Sequence, residues 1–184
     1  MRTIGSGLRA ALAVSLLAAC KPAGLSAHDR TVVIHDVGAL IDTWNAASDA
    51  GEFATLKPMY SSSTGFVWVE DGRVAYASAA DAAAGLDAAT NGGFTTNLVL
   101  TNRQITPLAK DAASVSADYT LVFEFAPDTR FETKGVFTAV LVKEEEAWKF
   151  LQGHFSTPPL PPPEPVADPA GVVEAILDDL PQPD

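Results

Sequence analysis

Between Thr95 and Ser156 the chain is a nearly unbroken succession of residues that favour extended backbone. Four stretches, Thr95 to Thr106, Ser114 to Phe125, Phe131 to Lys143 and Ala147 to Ser156, are rich in Val, Thr, Phe and Leu, side chains that suit a pleated, half-buried surface. Between them stand Pro107, Asp111, Pro127-Asp128 and Glu144-Glu145-Glu146, residues that form turns or tip a hairpin with charge. Links this short cannot carry a crossover, so the four strands are expected to run antiparallel as a meander. One face of such a sheet is apolar and needs cover.

That cover is written upstream. Val33, Val37, Leu40, Ile41, Trp44 and Ala47 recur at helical spacing, which predicts an amphipathic helix capped near Gly51. Phe53, Leu56 and Tyr60 continue on one face of a second, shorter helix that Pro58 tightens or ends. Phe66 to Glu70 and Arg73 to Ala77 flank Asp71-Gly72, the signature of a two-residue hairpin. Ser78-Ala79-Ala80-Asp81 then opens an Ala-rich helix that runs to Asn91-Gly92-Gly93. Three helices ahead of a long meander predict an α+β domain, its helices gathered on one face of a curved, mainly antiparallel sheet.

The flanks differ in kind. Arg2 and Arg9 form a positive region ahead of an apolar run, Ala10 to Leu17, too short to span a bilayer, and Leu17-Ala18-Ala19-Cys20 closes it. This resembles the lipobox of bacterial lipoproteins. The resemblance implies that residues 1–19 are a signal peptide, that Cys20 is lipidated, and that the chain sits in the cell envelope, anchored by lipid and facing the periplasm or the cell exterior. The alternative is an ordinary secretory signal cut near Ala27. Residues 20–30, with Pro22, Gly24 and Ser26, read as a tether, 31–157 as the domain, 158–169 as a Pro-rich linker of polyproline character and 170–184 as an acidic tail. In that tail Asp168 can cap and Pro169 can start a short helix with Val172, Val173, Ile176, Leu177 and Leu180 on one stripe. The segment is then packed on the domain, a docking peptide for another protein, or disordered.

Charge and cysteine usage narrow the function classes. The chain carries a net charge of −11, and residues 20–184 keep ten of the twelve Lys and Arg with all 23 Asp and Glu, a balance of −13. Such a surface argues against nucleic acid and anionic headgroups as partners. Cys20 is the only cysteine, so no intramolecular disulfide and no cysteine-based metal site can form. His28, His35 and His154 show no i, i+4 pairing, and no metal or other cofactor is expected.

The order of helix, second helix with a terminal Tyr, hairpin, helix and four strands resembles the NTF2-like superfamily. The last strand, Ala147-Trp148-Lys149-Phe150-Leu151-Gln152-Gly153-His154-Phe155-Ser156, is similar to the ending W-K-hydrophobic-x-x-x-H-x-S of its SnoaL-like and DUF4440-like branch. Trp44-Asn45, Gly51-Glu52-Phe53, Tyr60 and Phe66-Val67-Trp68 also sit where that branch has such residues. The resemblance covers Thr31 to Ser156 and implies a cone whose sheet wraps the helices around a cavity. Its members include isomerases, dehydratases, cyclases, accessory domains and oligomerisation modules, so function has to come from the site.

Alternation along the last strand puts Trp148, Phe150, Gln152, His154 and Ser156 on one side and Lys149, Leu151, Gly153 and Phe155 on the other. Because Lys149 belongs in water, the Trp148 side is expected to face inward, carrying Gln152, His154 and Ser156 to the pocket. Trp44, Tyr60, Trp68, Tyr76 and Tyr119 are the candidates for an aromatic wall with polar tips. Three functions compete. The first is a membrane-anchored module that binds a small apolar or aromatic molecule or a protein partner. The second, implied by resemblance to ketosteroid-isomerase-like members, is an isomerase, dehydratase or lyase using His154 with Glu70 or Tyr76. The third is a structural homodimer built through an outer sheet face bearing Val136, Val140 and Val142. Glu124, which alternates against Tyr119, Leu121 and Phe123, is expected on the outer face.

Overall fold

The computed structural model describes residues 24–125 and 129–159. Cys20, the Pro127-Asp128 turn and the stripe from Val172 to Leu180 lie outside the described residues. The first helix, α1 (Ala27–Asp49), starts inside the span read as a tether. The reason is local: Ser26 Oγ accepts from the Asp29 N–H at 3.1 Å and donates to the Asp29 carboxylate at 2.7 Å, closing the helix N-terminus. Gly51, at φ +71°, turns the chain out of the helix, a left-handed conformation that costs glycine little. The second helix, α2 (Phe53–Leu56), tightens into a 3-10 turn over Lys57–Met59 that contains Pro58. The hairpin of β1 (Val67–Glu70) and β2 (Arg73–Tyr76) turns on Asp71 and Gly72, at φ +48° and +77°, as a twist-matched two-residue turn requires. Ser78 caps α3 (Ala79–Thr90) through Asp81 as Ser26 does α1.

The meander follows as β3 (Phe94–Ala109), β4 (Ala112–Phe125), β5 (Thr129–Glu144) and β6 (Ala147–Ser156). Its order in the six-stranded sheet is β2-β1-β6-β5-β4-β3. All neighbours are antiparallel except β1, which runs parallel to β6. Pro107, expected in a turn, lies inside β3. β3 is an edge strand, so a residue without an N–H loses no ladder bond on its open side.

The helices cover one face, here called inner. Val33, Val37, Ile41, Trp44 and Ala47 form the buried stripe of α1, and against it stand Leu98, Ala113, Val115, Tyr119, Phe137, Ala139, Leu141, Trp148 and Phe150 from the meander. Phe137, Phe150, Ile41, Leu141 and Val37 are the largest side chains with almost no exposure.

Two irregularities set which residues reach which face. In β6, Phe150 pairs with Leu141 and Gln152 with Val140, so Leu151 is an extra residue without a partner. In β3, Thr101 pairs with Asp118 and Gln104 with Ser116, leaving two residues opposite one. There Asn102 sits at φ +51° and Arg103 reaches Asp42 on α1 at 2.5 Å. An extra residue of this kind reverses the alternation beyond it.

Candidate functional site

The reversal at Leu151 overturns the inward assignment of the last strand. Trp148 and Phe150 face the core, as expected, but beyond the bulge it is Gly153 and Phe155 that face inward. A Cβ on Gly153 would stand 2.1 Å from the Trp68 ring, so only glycine admits that indole. Phe155 packs on Phe137 with centroids 4.8 Å apart and edge-on to Tyr119 at 4.9 Å. Gln152, His154 and Ser156 therefore belong to the outer face.

There they join a regular array. Val69, His154, Thr138, Ser116 and Gln104 form one rung across five strands, and Val67, Gln152, Val140, Ser114 and Thr106 form the next. The two rungs line a trough of about 490 Å³. Neither rung carries an Asp, Glu, Lys or Arg, although the chain is strongly charged.

Nor do the expected aromatic walls enclose a space. Trp44 stacks on Phe137 at 5.8 Å and tilts against Phe150 at 5.3 Å, while Tyr60 lies edge-on to Trp68 at 5.4 Å and accepts from the Trp44 indole N–H at 3.3 Å. Trp44, Tyr60 and Trp68 are each at most 8 % exposed. They fill the interior of the cone, and burial pushes the Tyr60 hydroxyl up to about 12, so it stays protonated. Tyr76 is half-buried and covers Gly85 of α3, where a Cβ would meet its hydroxyl at 2.5 Å. Burial, then the nearby Glu70 carboxylate, raises its pKa.

On the inner face a cavity of about 350 Å³ lies at the edge of this aromatic core. Tyr119, Leu121 and Phe123 of β4, Phe131 and Thr133 of β5, and Phe155 of β6 form its walls, with Glu70, Asp71, Thr157 and Pro158 at its margin. The fold places them simply. Tyr119, Leu121 and Phe123 alternate inward, and Phe131 pairs with Phe123 across the β4–β5 ladder. The parallel pairing of β1 with β6 sets Glu70 beside Phe155. Phe94 and Phe125 extend the aromatic surface beyond Phe123, at 5.8 Å from Phe94 to Phe123 and 5.7 Å from Phe94 to Phe125. Phe125 and Phe131 remain 43 % and 58 % exposed.

Polar groups meet this apolar wall at two points. On one side the Tyr119 hydroxyl lies 2.8 Å from the Thr157 hydroxyl, which lies 3.2 Å from that of Thr133. The Thr157 N–H donates to the Asp71 carboxylate at 2.7 Å, and Asp71 N–H donates to the Phe155 carbonyl at 3.0 Å. That Thr157 N–H holds the Asp71 carboxyl below its usual range. On the other side stands Glu70. Its tip reaches solvent, yet crowding by neighbouring side chains strips water from it and raises its pKa, against a partial offset from the Trp68 side chain. A carboxyl so placed can accept a proton or a hydrogen bond from something in the cavity.

His154 and Glu70 do not converge, because the first lines the outer trough and the second the inner cavity. The sheet stands between them, so the His154–Glu70 pairing of the alternative enzyme reading is not formed. Glu124 is exposed. Among the described residues no three His, Cys, Asp or Glu gather closely enough to hold a metal ion. Thr133, Thr157, Phe123 and Phe131 are site residues that the sequence reasoning missed. The inward phase of Tyr119, Leu121 and Phe123 could have pointed to Phe123, and the facing strand to Phe131; Thr157 lies beyond the last strand, where no periodicity reports.

A family model described as a SnoaL-like domain matches residues 37–161. No curated protein matches the chain in sequence. Solved structures do. A candidate scytalone dehydratase from Novosphingobium aromaticivorans is 13 % identical, with a TM-score of 0.64 over 73 % of this chain and 89 % of its own. An NTF2-like superfamily protein from Salmonella enterica serovar Typhimurium is 16 % identical, with a TM-score of 0.61 over 74 % of this chain and 99 % of its own. A candidate dehydratase of the NTF2-like family from Streptomyces avermitilis is 18 % identical, with a TM-score of 0.61 over 70 % and 97 %. Likeness at such identities carries the fold alone.

Proposed function

We propose, for a chain that belongs to the SnoaL-like domain family of the NTF2-like superfamily, that it binds a small apolar or aromatic molecule in the inner-face cavity while anchored through Cys20 outside the cytoplasm. The observation that carries the binding reading is the composition of the cavity: Phe123, Phe131, Phe155 and Leu121 supply an apolar wall, and Tyr119, Thr133, Thr157 and Glu70 supply a few convergent polar groups. That division is typical of small-molecule sites. Its size suits a ligand of one or two rings. The lipobox at Leu17 to Cys20 supports the anchoring.

The test uses a neutral fluorescent probe, N-phenylnaphthylamine. Wild type should bind it with a blue-shifted emission. Phe131→Ser should weaken binding at least fivefold with an unchanged melting temperature, because that ring is 58 % exposed and contributes little to the core. His154→Ala should bind as wild type does. Undiminished binding in Phe131→Ser would locate the probe elsewhere and reject the cavity.

A second reading is favoured by one observation, the raised pKa of Glu70 at an apolar cavity. It is proton transfer by Glu70, with the Tyr119 hydroxyl as the hydrogen-bond donor, in an isomerisation or dehydration. The descriptions of the relatives from Novosphingobium and Streptomyces as candidate dehydratases are in keeping with it. Turnover lost in Glu70→Gln with probe binding kept would support it. The uncharged outer rungs, with exposed Val136 beside them, favour pairing of two copies through that face, which sedimentation would detect.

A further inference from the structure

We infer that the inner-face cavity opens away from the membrane that anchors the protein, so that its ligand is taken from the aqueous compartment rather than drawn from the anchoring bilayer. This rests on the anchored-binding reading above and gives it a direction.

The two ends of the meander are not equivalent. The start of α1 is fastened to the β3–β4 turn: Lys110 pairs with Asp29 at 3.0 Å, and Gly24, Leu25 and Ser26 line a surface recess with Leu108, Ala109 and Asp111. The chain from Cys20 thus enters the domain at the end marked by Ala109 and Ala112. Residues 20 to 26 extend at most about 20 Å, at roughly 3.4 Å per residue.

The cavity lies toward the other end. From Ala112 to Phe123 is about 36 Å along β4, at roughly 3.3 Å per residue. Exposed Phe125 and half-buried Phe94, the margin of the cavity's aromatic surface, sit at the far ends of β4 and β3. For a sheet longer than its tether to bring that margin to the bilayer, the domain has to lie flat. Lying flat would press a domain whose residues 24–159 carry 17 Asp and Glu against nine Lys and Arg onto the headgroups, which an anionic leaflet opposes. The exposed apolar residues near the entry end are better suited to that surface: Leu108 is 58 % exposed, Ile34 45 % and Val32 41 %. Thr157 and Pro158, which follow β6, also stand at the cavity margin.

The experiment uses the full acylated protein in vesicles of phosphatidylethanolamine and phosphatidylglycerol. Cys20 is the only cysteine and acylation consumes its thiol, so one introduced cysteine is uniquely labelled. Leu108→Cys and Phe125→Cys each carry bimane, quenched by doxyl-labelled lipid. Strong quenching at Leu108 and less than a fifth of it at Phe125 is the expected result; equal quenching in protein that floats with the vesicles overturns the orientation and leaves the anchor standing. Failure to float removes the anchor and the proposal with it. A second arm loads N-phenylnaphthylamine into the vesicles. Uptake should be no faster for the anchored protein than for an unacylated chain of residues 21–184, both being limited by escape of the probe into water; faster uptake by the anchored form overturns the aqueous route. If neither protein takes up probe added directly to water, the binding reading itself fails, while the quenching result still fixes the orientation.

Discussion

Replacing Phe155 and His154 one at a time by alanine separates the two possible phases of the last strand. With the bulge at Leu151, Phe155 is the inward residue and packs against Phe137, Tyr119, Trp68 and Trp44 at centroid distances of 4.8, 4.9, 6.0 and 6.5 Å. Truncating a buried Phe costs about 3–5 kcal/mol. Phe155 is only half-buried, at the cavity wall, so a smaller loss than that, about 2–3 kcal/mol, is expected once its edge-on contact with Tyr119 is included. His154 lines the solvent-open outer trough, and its removal should cost no more than about 0.5 kcal/mol, as for surface substitutions in general. For a domain of this length 1 kcal/mol corresponds to about 3–5 °C in Tm, so Phe155→Ala should melt about 6–15 °C below wild type and His154→Ala within about 3 °C. Urea unfolding followed by tryptophan fluorescence, with unchanged m-values, would give the same order. A His154→Ala variant that loses as much stability as Phe155→Ala would refute the bulge, since only an unreversed strand points His154 at the core.

Gly153→Ala should be among the most damaging single changes, costing several kcal/mol (roughly 3 or more, as overpacking against a rigid ring does), because its Cβ would stand 2.1 Å from the Trp68 ring; failure of the purified variant to unfold cooperatively would be the readout. Burial lifts the Tyr60 hydroxyl above its ordinary value of 10.0, up to about 12, so its contribution to stability is complete below pH 10 and is lost as pH rises towards 12. Tyr60→Phe should therefore flatten the alkaline decline of Tm, and an unaltered decline would place the cause elsewhere. Glu70 likewise has a raised folded pKa: it favours the fold below the unfolded carboxyl value and loses that contribution as pH rises through the folded one. Glu70→Gln should gain stability relative to wild type as pH rises from about 4, the ordinary carboxyl value; a gap that narrows as pH rises would contradict the assignment. Removing residues 160–184 should change the unfolding free energy by less than about 1 kcal/mol, and a larger loss would mean that the Val172 to Leu180 stripe packs on the domain.

The elements were legible because each carries a local signal that the fold does not contradict. The Ser26 and Ser78 caps, the Asp71-Gly72 turn and the α1 stripe are short-range chemistry, and the strands follow from composition and links. What sequence did not yield is phase. The inward assignment extrapolates alternation from Trp148 and Phe150 through to Ser156, and one unpaired residue, Leu151, reverses it. A trace of that reversal is present: Phe155 is a bulky apolar residue out of step with Phe150, and Leu100 is likewise out of step with Ile105 on either side of Asn102. An apolar phase that shifts by one within a strand is what a bulge looks like from sequence. Glu70 stands at a hairpin end, which is ordinarily wet, and only the non-local parallel pairing with β6 brings it beside Phe155.

The same distinction explains why the resemblance reported fold and not activity. Trp44, Tyr60, Trp68, Trp148 and Phe150, five of the residues that carry it, belong to one contiguous core. Their constraint is packing density, which any member of such a fold must satisfy whatever it binds. The residues that shape the cavity obey no such common rule. Phe131 is mostly exposed and Thr157 lies beyond the last strand, so the first contributes little to a core and the second belongs to no repeating element. Glu70 carries a cost, since its surroundings disfavour its charge. A fold can dispense with all three, so it is on these residues, and not on the aromatic core, that selection for a particular ligand can act.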